Sequence, residues 1–190
     1  MGVPIVHPRK LSNVFEIIPE PRFDEPGYRV LLFDQKTFAG FGFDLPWVQD
    51  FVVHTTAKHT LRGLHVSLYP FFEAKIITAV RGEALWVAVD LRTKSPTFDW
   101  WESVLLSEKT HNLLCVGRGF AHGCISRTDD CDLLIKTDNV PSDDFWDCIS
   151  WDDPTLGIDW QLKGVSPIVT EKYRQRRQSF DGFLKKYGGL

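Results

Sequence analysis

The sequence predicts a mainly β protein whose short strands form a sandwich, a jelly roll or a closed barrel. Apolar runs rich in Val, Ile, Leu and aromatic residues recur about every ten residues, with Gly, Pro, Asp and Lys between them. Aromatic residues make up 13% of the chain, and such rings favour half-buried strand surfaces and pocket walls. A length of 190 residues fits a single domain.

The apolar runs predict the individual strands in chain order. A turn at Gly82 separates two of them, because glycine is the residue that a tight turn most readily accepts. The predicted strands are Tyr28–Phe33, Trp47–His54, Thr60–Ser67, Lys75–Val80, Ala84–Asp90, Trp100–Leu106, Asn112–Val116, Ala121–Ser126 and Cys131–Lys136.

Two later segments differ from this pattern. Residues 138–159 hold seven aspartates and no Lys or Arg, which predicts solvated loops with Asp caps. A hard-cation site is the alternative, although the spacing does not match an EF-hand loop. In the tail, Tyr173, Phe180, Phe183 and Tyr187 lie on a helical stripe, which predicts a helix over about residues 170–187 docked on the strands rather than a free basic arm.

Charge, hydropathy and cysteine spacing exclude several classes of protein. The 22 Lys and Arg against 25 Asp and Glu leave no basic excess for nucleic acid. The longest apolar runs are far shorter than the ~20 residues of a membrane span, so we expect no membrane partner. The four cysteines form no CxxC pair, which favours reduced core thiols and a cytoplasmic protein.

Charged residues concentrate in two predicted strands. The run LRGLHVSLYPFFEAK places Arg62, His65 and Lys75 among apolar residues, and GFAHG adds His122. Residues three apart on a strand point to opposite faces, so Arg62 and His65 share a face only if Gly63 bends or bulges the strand. Charged groups in an aromatic interior cost several kcal/mol unless they face a cavity or a ligand. The combination therefore indicates a functional site.

Six motifs in order carry a resemblance to a known family. The segments LRGLH, EAK, VRGE, AVDLR.KSPTF, GFAHG and WDDPTLGIDW resemble the dTDP-4-dehydrorhamnose 3,5-epimerases of the cupin superfamily. The likeness runs from about Phe23 to Lys172. It implies a cupin double-stranded β-helix, a jelly-roll barrel over about residues 23–165, with a short C-terminal helix. It also implies a homodimer without metal or cofactor that epimerises 4-keto-6-deoxy sugars carried on a nucleotide diphosphate.

The resemblance assigns roles in the chemistry. Epimerisation next to a ketone needs a base, a stabiliser for the enolate oxygen and an acid on the opposite face. By resemblance His65 is the base, Lys75 lies at the enolate oxygen and His122 supports the sugar. The substrate-binding positions are Arg62, Glu73 and Lys172.

The chain departs from the family at several of these positions. Ile135 replaces the proton-donating tyrosine, and Tyr173 replaces the aspartate that pairs with the base. Tyr173 and Tyr69 are the candidate substitute acids. Polar nucleotide-binding positions are also replaced by apolar residues, which predicts an altered nucleotide or sugar specificity and a drier cavity. These positions are Pro26, Leu31, Phe51 and Pro141.

Several alternatives stand beside a complete 3,5-epimerase. A metal cupin would use an HxH…E…H set, but Ser67 stands at its second histidine and the Lys75 ammonium lies near the other ligands, so we expect no metal. Loss of the acid favours an epimerase that acts at one carbon. The competing hypothesis is a catalytically impaired cupin that binds a nucleotide sugar or scaffolds a partner in deoxysugar biosynthesis. A related ketoisomerase or another sugar-modifying enzyme is the third hypothesis.

Overall fold

The computed structural model describes residues 4–190, so the first three residues of the predicted 1–190 domain lie outside this range. The described chain forms fifteen strands and three helices. The strands are β1 (Ile5–Pro8), β2 (Val14–Ile18), β3 (Arg22–Asp24), β4 (Gly27–Arg29), β5 (Gln49–Thr55), β6 (Thr60–Ser67), β7 (Lys75–Arg81), β8 (Glu83–Asp90), β9 (Trp101–Ser107), β10 (Leu113–Val116), β11 (Phe120–Ser126), β12 (Cys131–Thr137), β13 (Trp146–Ile149), β14 (Ile168–Val169) and β15 (Arg177–Gln178). The helices are α1 (Gln35–Gly40), α2 (Glu171–Gln175) and α3 (Phe180–Tyr187).

Two large sheets face each other and form the predicted jelly roll. The first has the order β1-β2-β10-β7-β12-β5, and all its pairs are antiparallel. The second has the order β15-β13-β6-β11-β8-β9, with β14 beside β6. The hairpin β3–β4 stands apart from both sheets. The prediction of a mainly β cupin-like fold is confirmed.

Apolar residues fill three layers. Between the sheets, Ile77 and Leu133 of the first sheet pack with Trp86 and Phe120 of the second. The outer face of the second sheet is covered by residues of the C-terminal half, including Trp160, Phe180 and Phe183. Residues of and near α1, including Phe38 and Phe43, cover the first sheet. Because the second sheet is buried on both faces, β8 and β11 are almost continuously apolar.

Most predicted strands are confirmed, and Thr60–Ser67 coincides with β6. Arg81 ends β7 and Glu83 begins β8 on either side of the predicted turn, where Gly82 has a φ of 68°. The run Tyr28–Phe33 is strand only as far as Arg29. Strands β1, β2, β3, β13, β14 and β15 were not predicted; β13 lies inside the aspartate-rich segment expected to be loop.

The C-terminal segment corrects the prediction of one helix. Residues 177–178 leave the helical conformation and pair in parallel with β13, so α2 and α3 are separate. Ser179 caps α3 by accepting a hydrogen bond from the Gly182 amide, and Gly188 ends it in the left-handed conformation. The four cysteines are free and buried, as predicted.

None of the helices formed by residues 4–190 has the length and apolar character needed to cross a membrane.

Candidate active site

A cavity of about 220 Å³ opens between the two sheets. Both sheets, the loop before β7 and helix α2 contribute to its wall. The lining residues are Phe51, Val53, Arg62, His65, Glu73, Lys75, Trp86, His122, Gly123, Cys124, Leu133, Ile135, Pro141, Lys172 and Tyr173. Every site residue that the sequence predicted lines it, with the exception of Tyr69.

A bulge in β6 brings Arg62 and His65 to the same cavity. Opposite β11, His65 pairs with His122 and Arg62 pairs with Cys124, so three steps on β6 match two on β11. Gly63 occupies the bulge with a φ of 121°, and a Cβ there would come within 2.6 Å of the His122 carbonyl oxygen. The predicted condition for a shared face is met, and only glycine fits this position.

His65 is held against an aromatic surface. Its ring stacks on that of Trp146, with centroids 5.2 Å apart and planes at 23°. Lys172 Nζ and the Arg176 guanidinium lie 4.1 and 4.3 Å from the centroid of the same indole. Burial, and then the nearby charges of Lys75 and Lys172, lower the pKa of His65 to about 3. The imidazole is therefore neutral at physiological pH and has a free lone pair to accept a proton.

Lys75 forms a buried ion pair with Glu73. The distance from Lys75 Nζ to Glu73 Oε2 is 3.1 Å, and the two side chains are 7% and 1% exposed. Burial lowers the pKa of Lys75, while the carboxylates of Glu73 and Asp138 oppose that shift. The carboxylate at hydrogen-bond distance keeps a positive charge available at the cavity wall, where it can stabilise an oxyanion.

Several buried polar atoms on the cavity wall have no hydrogen-bond partner among residues 4–190. They are Arg62 Nε, Glu73 Oε1, Trp86 Nε1 and both ring nitrogens of His122. Burial is the main cause that places the pKa of His122 well below its usual value, so this ring is a neutral donor and acceptor. Unpaired buried polar groups cost about 1–3 kcal/mol each, so their concentration in one cavity indicates a bound polar ligand.

The wall that faces His65 is apolar apart from Lys75. The first sheet contributes Phe51, Val53, Leu133 and Ile135. Ile135 occupies the place of the expected acid and is 5% exposed, so the predicted dry wall is present. Among the residues described, this part of the sheet offers no hydroxyl, carboxyl or imidazole to the cavity.

The two candidate acids lie in different places. Tyr173 reaches the cavity from α2, on the side of His65, and its ring meets that of Trp146 edge-on at 6.2 Å. Burial raises the pKa of the Tyr173 phenol, so it stays protonated. Tyr69 is 77% exposed in the loop after β6 and packs on Phe72 outside the cavity. Of the two, only Tyr173 belongs to the site.

Sequence reasoning missed several residues of the site, among them Ser67, Trp86 and Trp146. Ser67 contacts both His65 and Glu73, and its position two residues after His65 on one strand was the available signal. Trp86 and Trp146 come from β8 and β13, whose neighbours in space could not be deduced from spacing. Among residues 4–190, no group of three His, Cys, Asp or Glu side chains is placed to hold a metal ion.

A second, larger groove of about 640 Å³ lies elsewhere on the chain, on the outer side of the first sheet. Arg29 and Leu31 line it together with apolar residues such as Phe38 and Leu113. Leu31, which the resemblance associates with nucleotide binding, is thus part of this groove and not of the His65 cavity. Pro26 lies in the exposed turn of the β3–β4 hairpin.

Comparisons with known proteins agree with this geometry. The family model described as dTDP-4-dehydrorhamnose 3,5-epimerase matches residues 8–179. The dTDP-4-dehydrorhamnose 3,5-epimerase of Methanothermobacter thermautotrophicus is 35% identical over 165 residues, which cover 86% of this chain and 88% of that protein.

Solved structures show the same architecture. The dTDP-4-dehydrorhamnose 3,5-epimerase of Bacillus anthracis with TDP and PPi bound has a TM-score of 0.86 at 31% identity, covering 90% of this chain and 97% of that chain. ChmJ, a 3'-monoepimerase from Streptomyces bikiniensis in complex with dTDP-quinovose, has a TM-score of 0.85 at 27% identity, covering 96% and 90%. Similar proteins thus include an enzyme described as acting at a single carbon.

Proposed function

Because the chain belongs to the dTDP-4-dehydrorhamnose 3,5-epimerase family, we propose that it epimerises a nucleotide-diphosphate 4-keto sugar next to the ketone. The observation that carries the proposal is the cavity itself, where a neutral His65, a Lys75 ammonium and unpartnered polar atoms converge. A volume of about 220 Å³ is below the ~300 Å³ at which drug-sized pockets begin, so it suits one sugar ring with the nucleotide outside.

The proposed steps follow from the placement of the charges. His65 removes the proton from the carbon next to the ketone, and the electron pair of that C–H bond moves to the ketone oxygen as an enolate. Lys75 stabilises that oxygen, while His122 and Arg62 hold the sugar through their unpartnered nitrogens. Glu73 and Lys172, which also line the cavity, contribute further contacts to the substrate. A proton then returns to the same carbon from the other face.

The return of the proton distinguishes this chain from an enzyme with a built-in acid. The wall opposite His65 is apolar apart from Lys75, and Tyr173 stands on the side of His65. We infer that solvent water delivers this proton, and that the hydroxide it leaves is neutralised by the proton that the His65 imidazolium releases to solvent. This route favours inversion at one carbon that water can reach. We also propose an altered nucleotide or sugar specificity, because the side chains of Phe51 and Pro141 cannot make the polar contacts expected at those positions.

Hydrogen exchange with solvent tests the proposal. The protein would be incubated in D2O with dTDP-, UDP- and GDP-linked 4-keto-6-deoxy sugars, and deuterium at C3 and C5 would be measured by NMR and mass spectrometry. We expect uptake with at least one sugar, its loss in His65→Asn, and no change in His7→Asn, a control at an exposed histidine. Absence of uptake with every sugar, or unchanged uptake in His65→Asn, would contradict the proposal.

The apolar wall also supports a second candidate function. A chain that cannot return the proton could bind a nucleotide sugar, or scaffold a partner of deoxysugar biosynthesis, without turnover. This function predicts saturable binding by calorimetry together with no deuterium uptake. The first function predicts both binding and uptake, so one pair of measurements separates them.

We also propose that the chain acts as a homodimer in the cytoplasm. Phe23 and Tyr28 of the β3–β4 hairpin are 80% and 53% exposed, and the 640 Å³ groove is largely apolar; a second copy would cover such surfaces. The free cysteines fit a reducing compartment. Analytical ultracentrifugation should give a dimer mass, and Phe23→Ser should weaken association. A monomer at all concentrations would contradict the proposal.

A further inference from the structure

Four polar side chains form a connected series from His65 through Ser67 to the buried ion pair of Glu73 and Lys75. His65 Nε2 is 3.3 Å from Ser67 Oγ, and Ser67 Oγ donates to Glu73 Oε2 over 2.5 Å. The same carboxylate oxygen is 3.1 Å from Lys75 Nζ. Among residues 4–190, His65 has no direct contact with a carboxylate. The only carboxylate connected to this imidazole by described hydrogen bonds is therefore Glu73, through one serine hydroxyl.

The local structure of β6, the following loop and β7 places these four side chains next to one another. His65 and Ser67 are two residues apart on β6, so their side chains share the face that looks into the cavity. Glu73 lies in the loop after β6, two residues before Lys75, which begins β7 on the opposite sheet. The Glu73 and Lys75 side chains are almost completely buried. The ion pair therefore fixes the position of the carboxylate, and the carboxylate fixes the serine.

The hydrogen-bond donors and acceptors of these four side chains determine which ring nitrogen of His65 carries a proton. Glu73 forms the ion pair with Lys75, and a carboxylate in an ion pair only accepts hydrogen bonds. The single Ser67 proton is therefore committed to Glu73, which leaves a lone pair of Ser67 Oγ for His65. His65 must donate its Nε2–H to that lone pair. Its Nδ1 atom, which has no partner among residues 4–190, is left as the basic atom.

We propose that Ser67 and Glu73 are positioning residues that hold His65 in the Nε2–H tautomer and make Nδ1 the base. A carboxylate that orients a catalytic imidazole also stabilises the imidazolium formed when the base takes its proton. Here that stabilisation passes through the serine hydroxyl. Lys75 and Lys172 are the cations near the ring, so an anionic group connected to it offsets their repulsion of the imidazolium. The catalytic part of this inference rests on the proposed epimerase function.

The test combines a spectroscopic measurement with kinetics. Histidine ¹⁵N chemical shifts of the free protein report which ring nitrogen is protonated, and they need no substrate. We expect the Nε2–H tautomer for His65 in the unmodified chain, a mixture with Nδ1–H in Ser67→Ala, and return of the Nε2–H form in Ser67→Thr, which keeps the hydroxyl. We expect deuterium uptake by the sugar to fall ten- to hundredfold in kcat for Ser67→Ala, with KM nearly unchanged.

Two further variants keep the result interpretable. Glu73→Gln keeps the side-chain shape but adds an NH2 that can donate to Ser67, so the tautomer preference should weaken there too. Ser103→Ala on β9 removes a hydroxyl outside the cavity and should change neither measurement. If Ser67→Ala is poorly folded by circular dichroism, Glu73→Gln and Ser67→Thr carry the comparison.

The outcomes distinguish the positioning role of the His65–Ser67–Glu73 hydrogen bonds, here called the relay, from the proposed epimerase function. An unchanged His65 tautomer in both Ser67→Ala and Glu73→Gln would overturn the relay, and so would a fall in kcat without a tautomer change. A tautomer change together with no deuterium uptake in the unmodified chain would support the relay and contradict the epimerase function.

Discussion

Ile135 occupies the point of the cavity wall from which an acid could reach the sugar, and its side chain has no proton to donate. Replacing it by tyrosine supplies a phenol there, on the wall of a cavity of about 220 Å³. General acid catalysis typically contributes ~10²–10⁴-fold, so we expect Ile135→Tyr to accelerate product formation at least tenfold and to permit inversion at a second carbon. Product stereochemistry by NMR and initial rates would measure both effects.

Ile135→Phe is the matched control for this prediction, because it adds the ring without the hydroxyl. The prediction is contradicted if the tyrosine and phenylalanine variants have the same rate and the same product stereochemistry.

Histidine burial gives stability a defined pH dependence. The pKa of His65 is lowered from 6.5 to about 3, and that of His122 is also lowered, so the unfolded chain binds more protons than the folded chain over this window. The buried histidines therefore contribute no destabilisation well above pH 6.5, and the free energy of unfolding should fall as the pH drops from 6.5 toward 3. Between pH 7 and pH 5 we expect a loss of about 2 kcal/mol from His65, with a further loss in the same direction from His122.

Urea unfolding at pH 7 and pH 5 measures this loss. The drop should be smaller in His65→Asn than in the unmodified chain, whereas the exposed control His7→Asn should retain it. Equal losses in all three proteins would show that histidine burial does not account for the acid sensitivity.

At the scale of the elements, the residue pattern predicted the features that depend on residues near one another in the chain, and it missed those that depend on long-range contacts. The limits of β6 coincide with those predicted from its apolar run, although Arg62 and Gly63 interrupt that run. The C-terminal stripe was misread as one helix because Tyr173 and Phe180 are spaced as on a helix, although they face the cavity and the outer core respectively. Pairing of Arg177–Gln178 with β13 is a long-range contact that no spacing reveals.

The same distinction applies to the site. Residues near one another in the chain, such as Arg62, His65 and Lys75, could be assigned to one cavity from their motifs. Trp86 and Trp146 could not, because their place depends on how β8 and β13 are ordered in the second sheet. The link from Ser67 to Glu73 depends on the path of the loop before β7, which is also set by tertiary packing.

Helix α3 contributes to the outer core chiefly through Phe183, which is fully buried against the second sheet. Truncating a buried phenylalanine removes its transfer free energy and leaves a cavity. We expect Phe183→Ala to lower the free energy of unfolding by about 3–5 kcal/mol. Denaturant unfolding would measure it, with exposed Lys185→Ala as a control expected to change stability by less than ~0.5 kcal/mol. A loss below ~1 kcal/mol for Phe183→Ala would mean that α3 is not part of the cooperative core.

At the scale of the whole molecule, the cavity lies between the two sheets, so a ligand that binds there contacts both halves of the fold. Unfolding separates the sheets and destroys the site. A nucleotide sugar that binds only the folded chain therefore stabilises the whole molecule. At a concentration 100-fold above Kd the gain is about 2.7 kcal/mol, which corresponds to a rise in Tm of about 5–11 °C for a chain of this size.

Thermal unfolding with a series of ligands turns this linkage into a test of specificity. The sugar ring should meet the unpartnered nitrogens of Arg62, Trp86 and His122 inside the cavity, and the diphosphate should lie toward Lys172 at its edge. We expect dTDP-, UDP- and GDP-sugars to raise Tm to different extents, and Lys172→Ala to reduce the rise most for inorganic diphosphate. Lys58→Ala, a change at a lysine outside the cavity, should leave every shift intact. If none of these ligands raises Tm, the unpartnered groups of the cavity serve a different polar molecule, and the assignment of a nucleotide-sugar substrate is wrong.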